Sequence, residues 1–470
     1  MTPPPSSSGS PLTGGETALA GFILETRWQD VPPDVRERAL LCLMDNVASA
    51  LSASTARSAQ IAASLARDVL PGDQATVLIS GVRSSALGAA FANGVAANAY
   101  DIDDCGLYTW GHPGAQVLAA SLALAEKLGA DGPAMLAATV VGYEVMFRAG
   151  RCWHDLHMPE YRACGTWGSI GCAAIGANLL RLTPLQTRHA LGIAEYDTPT
   201  LPMLQAVVEP AMVKHGIGIG ALNGLLSAEL AARGFTGTRS LLTLEQYDGW
   251  VGDLGSHYVL PYGMSWKEYS CCLWAHTPLL AVDRLRASHR FGAGDVRRII
   301  VEIYPDALQL QVVHPATTEE AQFSIAWPIA ALLVDGEVAT EQVSDERTAD
   351  ATLHDLAAKV EFVASDELQK LYVLSENGQP GGMDAARVTI ELNDGRVLES
   401  GLVEHLIYER EAALWDRERM ERKVRWLLRH LYTPAALDEL LERVWAFEEV
   451  SDVGDFVRML TRLRRAESTP

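Results

Sequence analysis

Residues 115–129 and 132–150 read AQVLAASLALAEKLG and GPAMLAATVVGYEVMFRAG, and these two stretches decide the fold class of the chain. In both, apolar residues recur at intervals of three and four, which is the spacing of an α-helix. Each stretch ends at a glycine, Gly129 or Gly150, that suits a helix C-terminal cap. Because the stretches are rich in alanine, we expect closely packed helices rather than a solvated bundle.

The same helical pattern extends from Glu16 to about Arg239. VRERALLCLMDNVASAL (35–51) repeats it, and LTPLQTRHALGIA (182–194) adds Thr183 as an N-cap with Pro184 at the first helical position. The preceding segment, residues 1–15, is rich in Pro, Ser and Gly and is predicted to be a disordered leader.

The pattern changes after about Ala275. VRRIIVEIY (296–304) is rich in β-branched residues and predicts a strand, and ARVTIELNDGRVLESGLV (386–403) predicts a hairpin with its turn at Asn-Asp-Gly. Between them, EEAQFSIAWPIAALLVDG (319–336) predicts one helix, kinked at Pro328 and stopped by Gly336. These elements indicate a smaller α+β domain.

Amphipathic helices return in REAALWDRERMERKVRWLLRHL (410–431) and TPAALDELLERVWAFEEV (433–450). The predicted fold is therefore mainly α, a large all-helical domain with an inserted, smaller α+β lid domain. The predicted boundaries are 1–15 for the leader, 16–274 for the first part of the helical domain, 275–405 for the lid, and 406–470 for the second part of the helical domain.

Charge and cysteine usage restrict the partners. The 470-residue chain carries 38 Lys and Arg against 59 Asp and Glu, a net charge of −21, which disfavours nucleic acid and anionic lipid. No apolar run reaches the length of a membrane span, and the N-terminus lacks the features of a secretion signal. Seven cysteines without a C-x-x-C pair indicate buried thiols in a reducing compartment. We expect a cytoplasmic protein, and local cations in a pocket still permit an anionic small-molecule substrate.

Several cofactor motifs are missing. The sequence contains no glycine-rich dinucleotide fingerprint, P-loop, G-x-S-x-G elbow or H-E-x-x-H pattern. Nicotinamide, flavin, nucleoside-triphosphate and serine-hydrolase chemistry are therefore disfavoured, and no cofactor is expected.

The stretch ANAYDIDDCGLYTWGHPG (97–114) is the first candidate site. Its three carboxylates, Asp101, Asp103 and Asp104, suit a metal ion, although the second acidic cluster of prenyl-transfer enzymes is not evident. Asp-x-Asp-Asp also occurs in terpene cyclases, whose cavities are aromatic, whereas this chain is only 7% aromatic. A solvated acidic loop is the third interpretation.

His112 distinguishes this stretch from an ordinary solvated acidic loop. It directly precedes a predicted helix N-terminus, where free backbone N–H groups and the helix dipole favour a carboxylate ligand. We expect His112 to act as acid or base with Asp101 as its support, Asp103 and Asp104 to be structural, and no metal to be required.

Further candidates lie in three polar stretches. Lys214 and His215 are predicted to begin a glycine-rich helix, and Lys214 is positioned to meet an anion. WKEYSCCLWAHTPLL, at the domain junction, offers a lysine, a tyrosine, two cysteines and a histidine, namely Lys267, Tyr269, Cys271, Cys272 and His276. CWHDLHMPEYR offers His157 and Arg162 in a loop over the same cleft, or in a plain surface loop.

Five blocks in order resemble the MmgE/PrpD family, whose members include 2-methylcitrate dehydratase, cis-aconitate decarboxylase and iminodisuccinate epimerase. The blocks are NGVAANAYDIDDCGLYTWGHPGAQVLAASLALAE (93–126), GTWGSIGCAAIGANLLRLTPLQTRHALGIA (165–194), MVKHGIGIGALNGLLSAELAARGFTG (212–237), KEYSCCLWAHTPLLAVDRL (267–285) and EEAQFSIAWPIAALLVDGEV (319–338). The resemblance covers residues 16 to 460. It implies a helical domain with an inserted α+β lid and a homodimer.

The resemblance also implies functional residues. The family's functional positions correspond to Asp101, His112, Lys214 and Lys267, with His276 matching the histidine of the K-x-Y block. We expect the lysines to bind substrate carboxylates and His276 or Tyr269 to donate a proton. The candidate substrate-binding residues are Tyr269, Cys105, His157, Arg162, Cys272 and Trp327.

This chain departs from the family pattern at four positions. Cys105 replaces a threonine, Pro159 replaces a histidine with His157 two places away, a histidine near Cys272 is absent, and Trp327 replaces the lid tyrosine. These departures weaken the case for methylcitrate and cis-aconitate as substrates.

The resulting functional hypothesis is a cofactor-independent lyase, a dehydratase or decarboxylase that transfers a proton at a carbon next to a carboxylate of a small polycarboxylate-like substrate. An epimerase, isomerase or cyclase using the same site is the alternative. A catalytically dead binding subunit and a prenyl-chain cyclase are further alternatives.

Overall fold

The computed structural model describes residues 11–154, 162–198, 200–376, 379–406 and 415–464, together with the backbone of residues 155–157. Helices make up most of this structure, so the predicted mainly-α class is confirmed. The first region contains the following helices: Gly14–Glu25, Pro33–Ser52, Arg57–Asp68, Ala86–Ala97, Pro113–Leu128, Gly132–His157, Cys164–Leu179, Pro184–Tyr196, Met203–Val208, Ile217–Ala232 and Asp248–Val251.

Helix Ile217–Ala232 lies at the centre of this region. It packs against helices Cys164–Leu179, Ala86–Ala97 and Pro184–Tyr196. A Cβ on Gly224 would lie 2.3 Å from the Cβ of Cys172, so only glycine permits this approach. The close helix packing expected from the small residues is thus present.

The helix ends test the local predictions. Thr183 and Gln186 form a capping box with Pro184 at the first helical position, and Gly129 has a left-handed φ of 59° at the C-cap, so both predictions are confirmed. The predicted end at Gly150 is wrong, because the helix continues to His157. A Cβ on Gly150 would lie 2.9 Å from the carbonyl oxygen of Tyr108. Gly150 therefore serves close packing against the loop before His112, not termination.

The second region contains a four-stranded sheet and its helices. The strand order is Val360–Ala364, Val296–Ile303, Asp384–Leu392 and Val397–His405, with the first pair parallel and the other two pairs antiparallel. The predicted strand and hairpin are confirmed, and Gly395 adopts φ 89° in the hairpin turn. The accompanying helices are His276–Ser288, Thr318–Gln322, Ala326–Asp335, Ala351–Ala357 and Asp366–Glu376.

The single kinked helix predicted for residues 319–336 is wrong. Two helices occupy this stretch, separated at residues 323–325. Pro328 is the third residue of the second helix, where its missing N–H group leaves no intrahelical bond unmade. Gly336 stops that helix with φ 86°, as predicted.

The C-terminal helices return to the first region. They span Arg417–Leu428, Pro434–Trp445 and Val453–Leu463. The first packs against Pro33–Ser52 and the last against Pro113–Leu128. The domain boundaries and the lid function of the α+β part stay predictions.

Two small sheets complete the structure. One pairs Ala75–Thr76 with Arg83–Ser84, and the other pairs Cys105–Gly106 with Met264–Ser265. Among the described residues no single helix has both the length and the apolar character needed to cross a membrane; Pro33–Thr55 and Arg57–Asp68 meet the criterion only together, across a 93° bend.

Candidate active site

The second of these small sheets brings distant parts of the chain together at one loop. Strand Cys105–Gly106 runs antiparallel to Met264–Ser265, and the N–H of Leu107 donates to the carbonyl of Gly263 at 2.7 Å. Lys267 lies two residues after strand Met264–Ser265, and its Nζ lies 2.6 Å from Oδ2 of Asp101 and 2.7 Å from the Asp101 carbonyl oxygen. Two predicted site residues, 166 positions apart in sequence, therefore form a buried ion pair.

Asp101 is the electrostatic centre of this cluster. It is 1% exposed and adopts a left-handed φ of 54°, which is uncommon for a residue with a side chain. Burial alone would raise the pKa of its carboxyl, but the ammonium groups of Lys267 and Lys214 and the ring of His112 hold that pKa well below its usual range. Asp101 is therefore a fixed negative charge.

Lys214 approaches Asp101 from another direction, with Nζ 3.6 Å from Oδ1. It precedes the helix in a turn with φ 42°, and the helix itself begins at Ile217, so the prediction that Lys214 and His215 begin it is wrong. The ammonium donates to the carbonyl of Asn98 and, at 2.7 Å, to Oε1 of Gln322. Burial lowers the pKa of Lys214 although Asp101 opposes this effect.

His112 lies between two carboxylates. As predicted, it directly precedes a helix, Pro113–Leu128. Its Nδ1 is 3.1 Å from Oδ2 of Asp103 and its Nε2 is 3.4 Å from Oδ1 of Asp101. The hypothesis that Asp101 alone supports His112 and that Asp103 is merely structural is therefore incomplete, because Asp103 makes the closer approach. The His112 ring keeps the pKa of Asp103 low against the effect of burial.

Asp104 has the structural position that the sequence predicts. It accepts from the N–H of Gly114 at 2.9 Å, from Nδ2 of Asn46 at 2.9 Å and from the hydroxyl of Tyr143 at 2.8 Å. Burial, with the nearby charges of Asp45 and Asp103, raises the pKa of its carboxyl to about 7. These contacts tie the acidic loop to the start of the His112 helix.

His215 is a component that the sequence prediction did not select. Its ring stacks on that of His112 with centroids 5.2 Å apart and planes at 15°. Burial, with the His112 ring beside it, lowers the pKa of His215 to about 3, which keeps the imidazole neutral. Its Nδ1 is buried and makes no hydrogen bond within the described part of the chain. The sequence signal that could have selected His215 is its place between Lys214 and Gly216, a glycine that adopts a φ of 70°.

The cluster also contains a possible metal-binding geometry. Asp101, His112 and His215 can each offer one ligand atom, all within 4.8 Å of one another. However, the ammonium groups of Lys267 and Lys214 already neutralise Asp101. Two fixed positive charges at this carboxylate oppose the binding of a further cation.

The cluster forms part of the wall of a cavity of about 60 Å³ that opens to solvent. Its lining combines the charged cluster with apolar, aromatic and acidic residues: Asp101, Cys105, Trp110, Gly111, His112, Met203, Val207, His215, Lys267, Cys272, Leu273, Trp274, Phe323, Tyr372, Glu376 and Asp384. Glu376 and Asp384 come from the sheet region and were not predicted, because nothing in their local sequence distinguishes them from solvated acidic residues.

The remaining predicted residues divide into three groups. Cys105 and Cys272 line the cavity, as expected of binding residues, and burial raises the pKa of the Cys272 thiol to about 12. Tyr269, His276, Trp327 and Arg162 are not among the lining residues. The side chain of His157 lies outside the described residues.

The four residues away from the cavity have other partners. The Tyr269 hydroxyl donates to Asp283 at 2.8 Å, and the His276 ring packs against Tyr269 and His405. Trp327 donates its indole N–H to the carbonyl of Gln342 at 3.0 Å, and Arg162 donates to the carbonyl of Thr200 at 2.5 Å. The predicted direct contact of these residues with a ligand is therefore not supported by the geometry.

Comparison with known proteins matches two consecutive parts of the chain to family models. The MmgE/PrpD N-terminal domain matches residues 17–256, and the MmgE/PrpD C-terminal domain matches residues 269–446. Cis-aconitate decarboxylase of Aspergillus terreus is 25% identical, covering 97% of both chains. The cis-aconitate decarboxylase-like protein oryM of Aspergillus oryzae is 27% identical over 82% of this chain and 85% of its own. Human cis-aconitate decarboxylase is 26% identical over 81% of this chain and 80% of its own.

Proposed function

We propose that this chain, which belongs to the MmgE/PrpD family, is a cofactor-independent lyase that transfers a proton at a carbon next to a carboxylate of a small substrate. The curated relatives are named as decarboxylases, which supports lyase chemistry. Cytoplasmic location and a homodimeric state remain predictions from sequence and resemblance.

One observation carries the proposal. The ring of His112 faces Asp103 through Nδ1 and Asp101 through Nε2, at the wall of a cavity that also contains Lys267. A carboxylate at Nδ1 fixes the tautomer and orientation of an imidazole, which leaves Nε2 to exchange a proton. Since Asp101 lines the cavity and Asp103 does not, we assign the exchanging proton to Nε2.

Lys267 supplies the charge that this chemistry needs. Removing a proton next to a carboxylate generates an enolate-like transition state whose negative charge must be stabilised. Burial disfavours the charged ammonium, but Asp101 raises the pKa of Lys267 overall, so it stays positive while it lines the cavity. Lys214 does not line the cavity and acts through Asp101.

The test is deuterium incorporation from D2O, followed by NMR with a panel of small unsaturated and hydroxylated acids. We expect exchange at the carbon next to the carboxylate, with loss of water or carbon dioxide, and loss of both with His112→Asn. His289→Asn, at an exposed position outside the cavity, is the matched control. Turnover that survives His112→Asn would reject the proposed role.

An isomerase is the second candidate, and the acidic residues of the cavity favour it. Burial raises the pKa of Glu376 to about 8 and that of Asp384 to about 7. Carboxylic acids that are protonated near neutral pH can return a proton at a second position of the substrate. Deuterium exchange without loss of water or carbon dioxide would favour this alternative over the lyase.

The prenyl-cyclase alternative requires Asp103 and Asp104 to act on a ligand. Neither residue lines the cavity. Asp103 faces His112, and Asp104 accepts hydrogen bonds from Gly114, Asn46 and Tyr143. We therefore do not adopt it.

A further inference from the structure

The residues that the structure describes place positive charge at one position of the cavity wall. Among the described residues, Lys267 is the only lysine or arginine that lines the cavity. Lys267 and the neighbouring Lys214 both face the carboxylate of Asp101. Asp101 and Asp103 balance the two lysines, so a substrate with several carboxylates would bring charges that these residues do not neutralise.

A second polar part of the cavity wall carries acidic side chains instead of positive charge. Glu376 is 6% exposed and Asp384 is 1% exposed, and both line the cavity. The hydroxyl of Thr277 donates to Asp384 at 2.7 Å. The ring of His405 lies 4.0 Å from Asp384, but burial and the charge of Arg419 lower its pKa to about 4, so it is neutral at physiological pH.

The two acids also affect each other. Besides burial, the charge of Asp384 contributes to the raised pKa of Glu376. A substrate carboxylate placed beside them would meet like charge or force them to stay protonated, and like charges in contact at a desolvated interface weaken binding. This part of the wall therefore favours uncharged groups that accept or donate hydrogen bonds.

The rest of the lining is largely apolar. Trp274, Phe323, Met203, Val207 and Leu273 contribute to it. The indole N–H of Trp274 is already donated to the hydroxyl of Tyr372 at 2.7 Å, so it is not available to a carboxylate. The buried Nδ1 of His215 makes no hydrogen bond to any residue that the structure describes, and it can pair with a polar group of a ligand in the cavity.

We propose that the substrate carries a single carboxylate, bound beside Lys267, and an uncharged, mainly apolar remainder whose polar end meets Glu376 and Asp384. This inference rests on the proposed function and names its substrate class. A tricarboxylate such as the acid in the names of the relatives does not fit this distribution of charge.

Matched ligands test the inference without requiring turnover. The probes are cis-aconitate, with three carboxylates, and its dimethyl monoacid esters, which keep the carbon skeleton and a single carboxylate. Calorimetric titration of the wild-type protein at pH 9, above the pKa of about 8 for Glu376 and of about 7 for Asp384, gives the ratio of the dissociation constants. We expect at least one monoacid to bind about tenfold or more tightly than the triacid, because each uncompensated like-charge contact costs more than a factor of ten.

Variants locate the cause. Glu376→Gln removes one acid and should reduce the ratio of triacid to monoacid dissociation constants by about threefold or more. Asp384→Asn is a second variant that removes the other acid. Thermal unfolding checks that both variants fold. Glu367→Gln, on the exposed side of the same helix, should leave the ratio unchanged. A triacid that binds as tightly as every monoacid, or no binding by any monoacid, overturns the inference.

The outcome also separates this inference from the proposed function. Tight binding of a monoacid with no deuterium exchange in D2O would reject the proton chemistry and leave the substrate class standing. Exchange with cis-aconitate, bound at least as tightly as the monoacids, would reject the substrate class and leave the proton chemistry standing.

Discussion

Nδ1 of His112 lies 3.1 Å from Oδ2 of Asp103, closer than the 3.4 Å between Nε2 of His112 and Oδ1 of Asp101. Both carboxylates belong to one acidic loop, but they have different environments. Asp101 lines the cavity and pairs with lysines, whereas Asp103 is fully buried behind the imidazole. This difference supports our proposal that Asp103 orients the ring and that Asp101 shapes the charge that the substrate meets.

Asp103→Asn should lower kcat strongly. An asparagine keeps the size of the side chain but can present an N–H group to Nδ1, which favours the wrong tautomer; loss of such a carboxylate costs about 10²-fold or more in kcat. Steady-state kinetics should show a smaller change in KM, since Asp103 does not line the cavity. Asp438→Asn, at an exposed position, is the control. An unchanged kcat in Asp103→Asn would contradict the orienting role.

Lys267→Met should destabilise the fold as well as weaken substrate binding. It leaves the buried Asp101 charge with Lys214 as its remaining ammonium partner, and removing one member of a buried ion pair costs about 3–5 kcal/mol. The double variant Asp101→Asn with Lys267→Met removes both charges of the pair, but Lys214 then loses its carboxylate partner, so only part of the stability should return. Urea unfolding of the four proteins measures this coupling, and additive effects would show that the pair is not coupled.

Stability should decrease as pH rises from about 5 to about 8. In the folded protein, burial raises the pKa of Asp104 and Asp384 to about 7 and that of Glu376 to about 8. Over this range the folded state therefore binds more protons than the unfolded state, so the stabilisation present at low pH is lost, at up to about 1.4 kcal/mol per pH unit for each group. Denaturant unfolding at several pH values measures the slope. Glu376→Gln should make the decrease in the free energy of unfolding with pH shallower. A free energy of unfolding that rises with pH would contradict the assignment.

Metal ions should not be needed for activity. Asp101, His112 and His215 could together contact an ion, but the two lysines compete for the Asp101 carboxylate. We expect activity to survive dialysis against a chelator, with the metal content checked by elemental analysis. Loss of activity that returns with one divalent metal would reject this expectation and turn attention to the Asp101–His112–His215 group.

Local sequence was sufficient where local physical chemistry decides the outcome. The capping box at Thr183 and Gln186, the left-handed glycine at Gly129 and the hairpin turn at Gly395 all follow from residues within one turn of the chain. The position of His112 directly before a helix follows in the same way.

Tertiary contacts overruled the sequence pattern elsewhere. Gly150 does not end its helix, because its missing side chain admits the backbone of Tyr108. His276 lies near Lys267 in sequence, but it packs against Tyr269 and His405 instead of lining the cavity. In both cases the deciding contact is with residues that periodicity does not reveal.

The sequence by itself determined the helices, the hairpin and the carboxylate–histidine loop, since backbone propensities and amphipathic spacing act over a few residues. Only the tertiary structure decided which charges meet. Lys267, Glu376 and Asp384 reach one cavity from distant segments, and Lys214 contacts the cavity residue Asp101. The pKa values of all four depend on burial and on neighbours that only the folded chain provides.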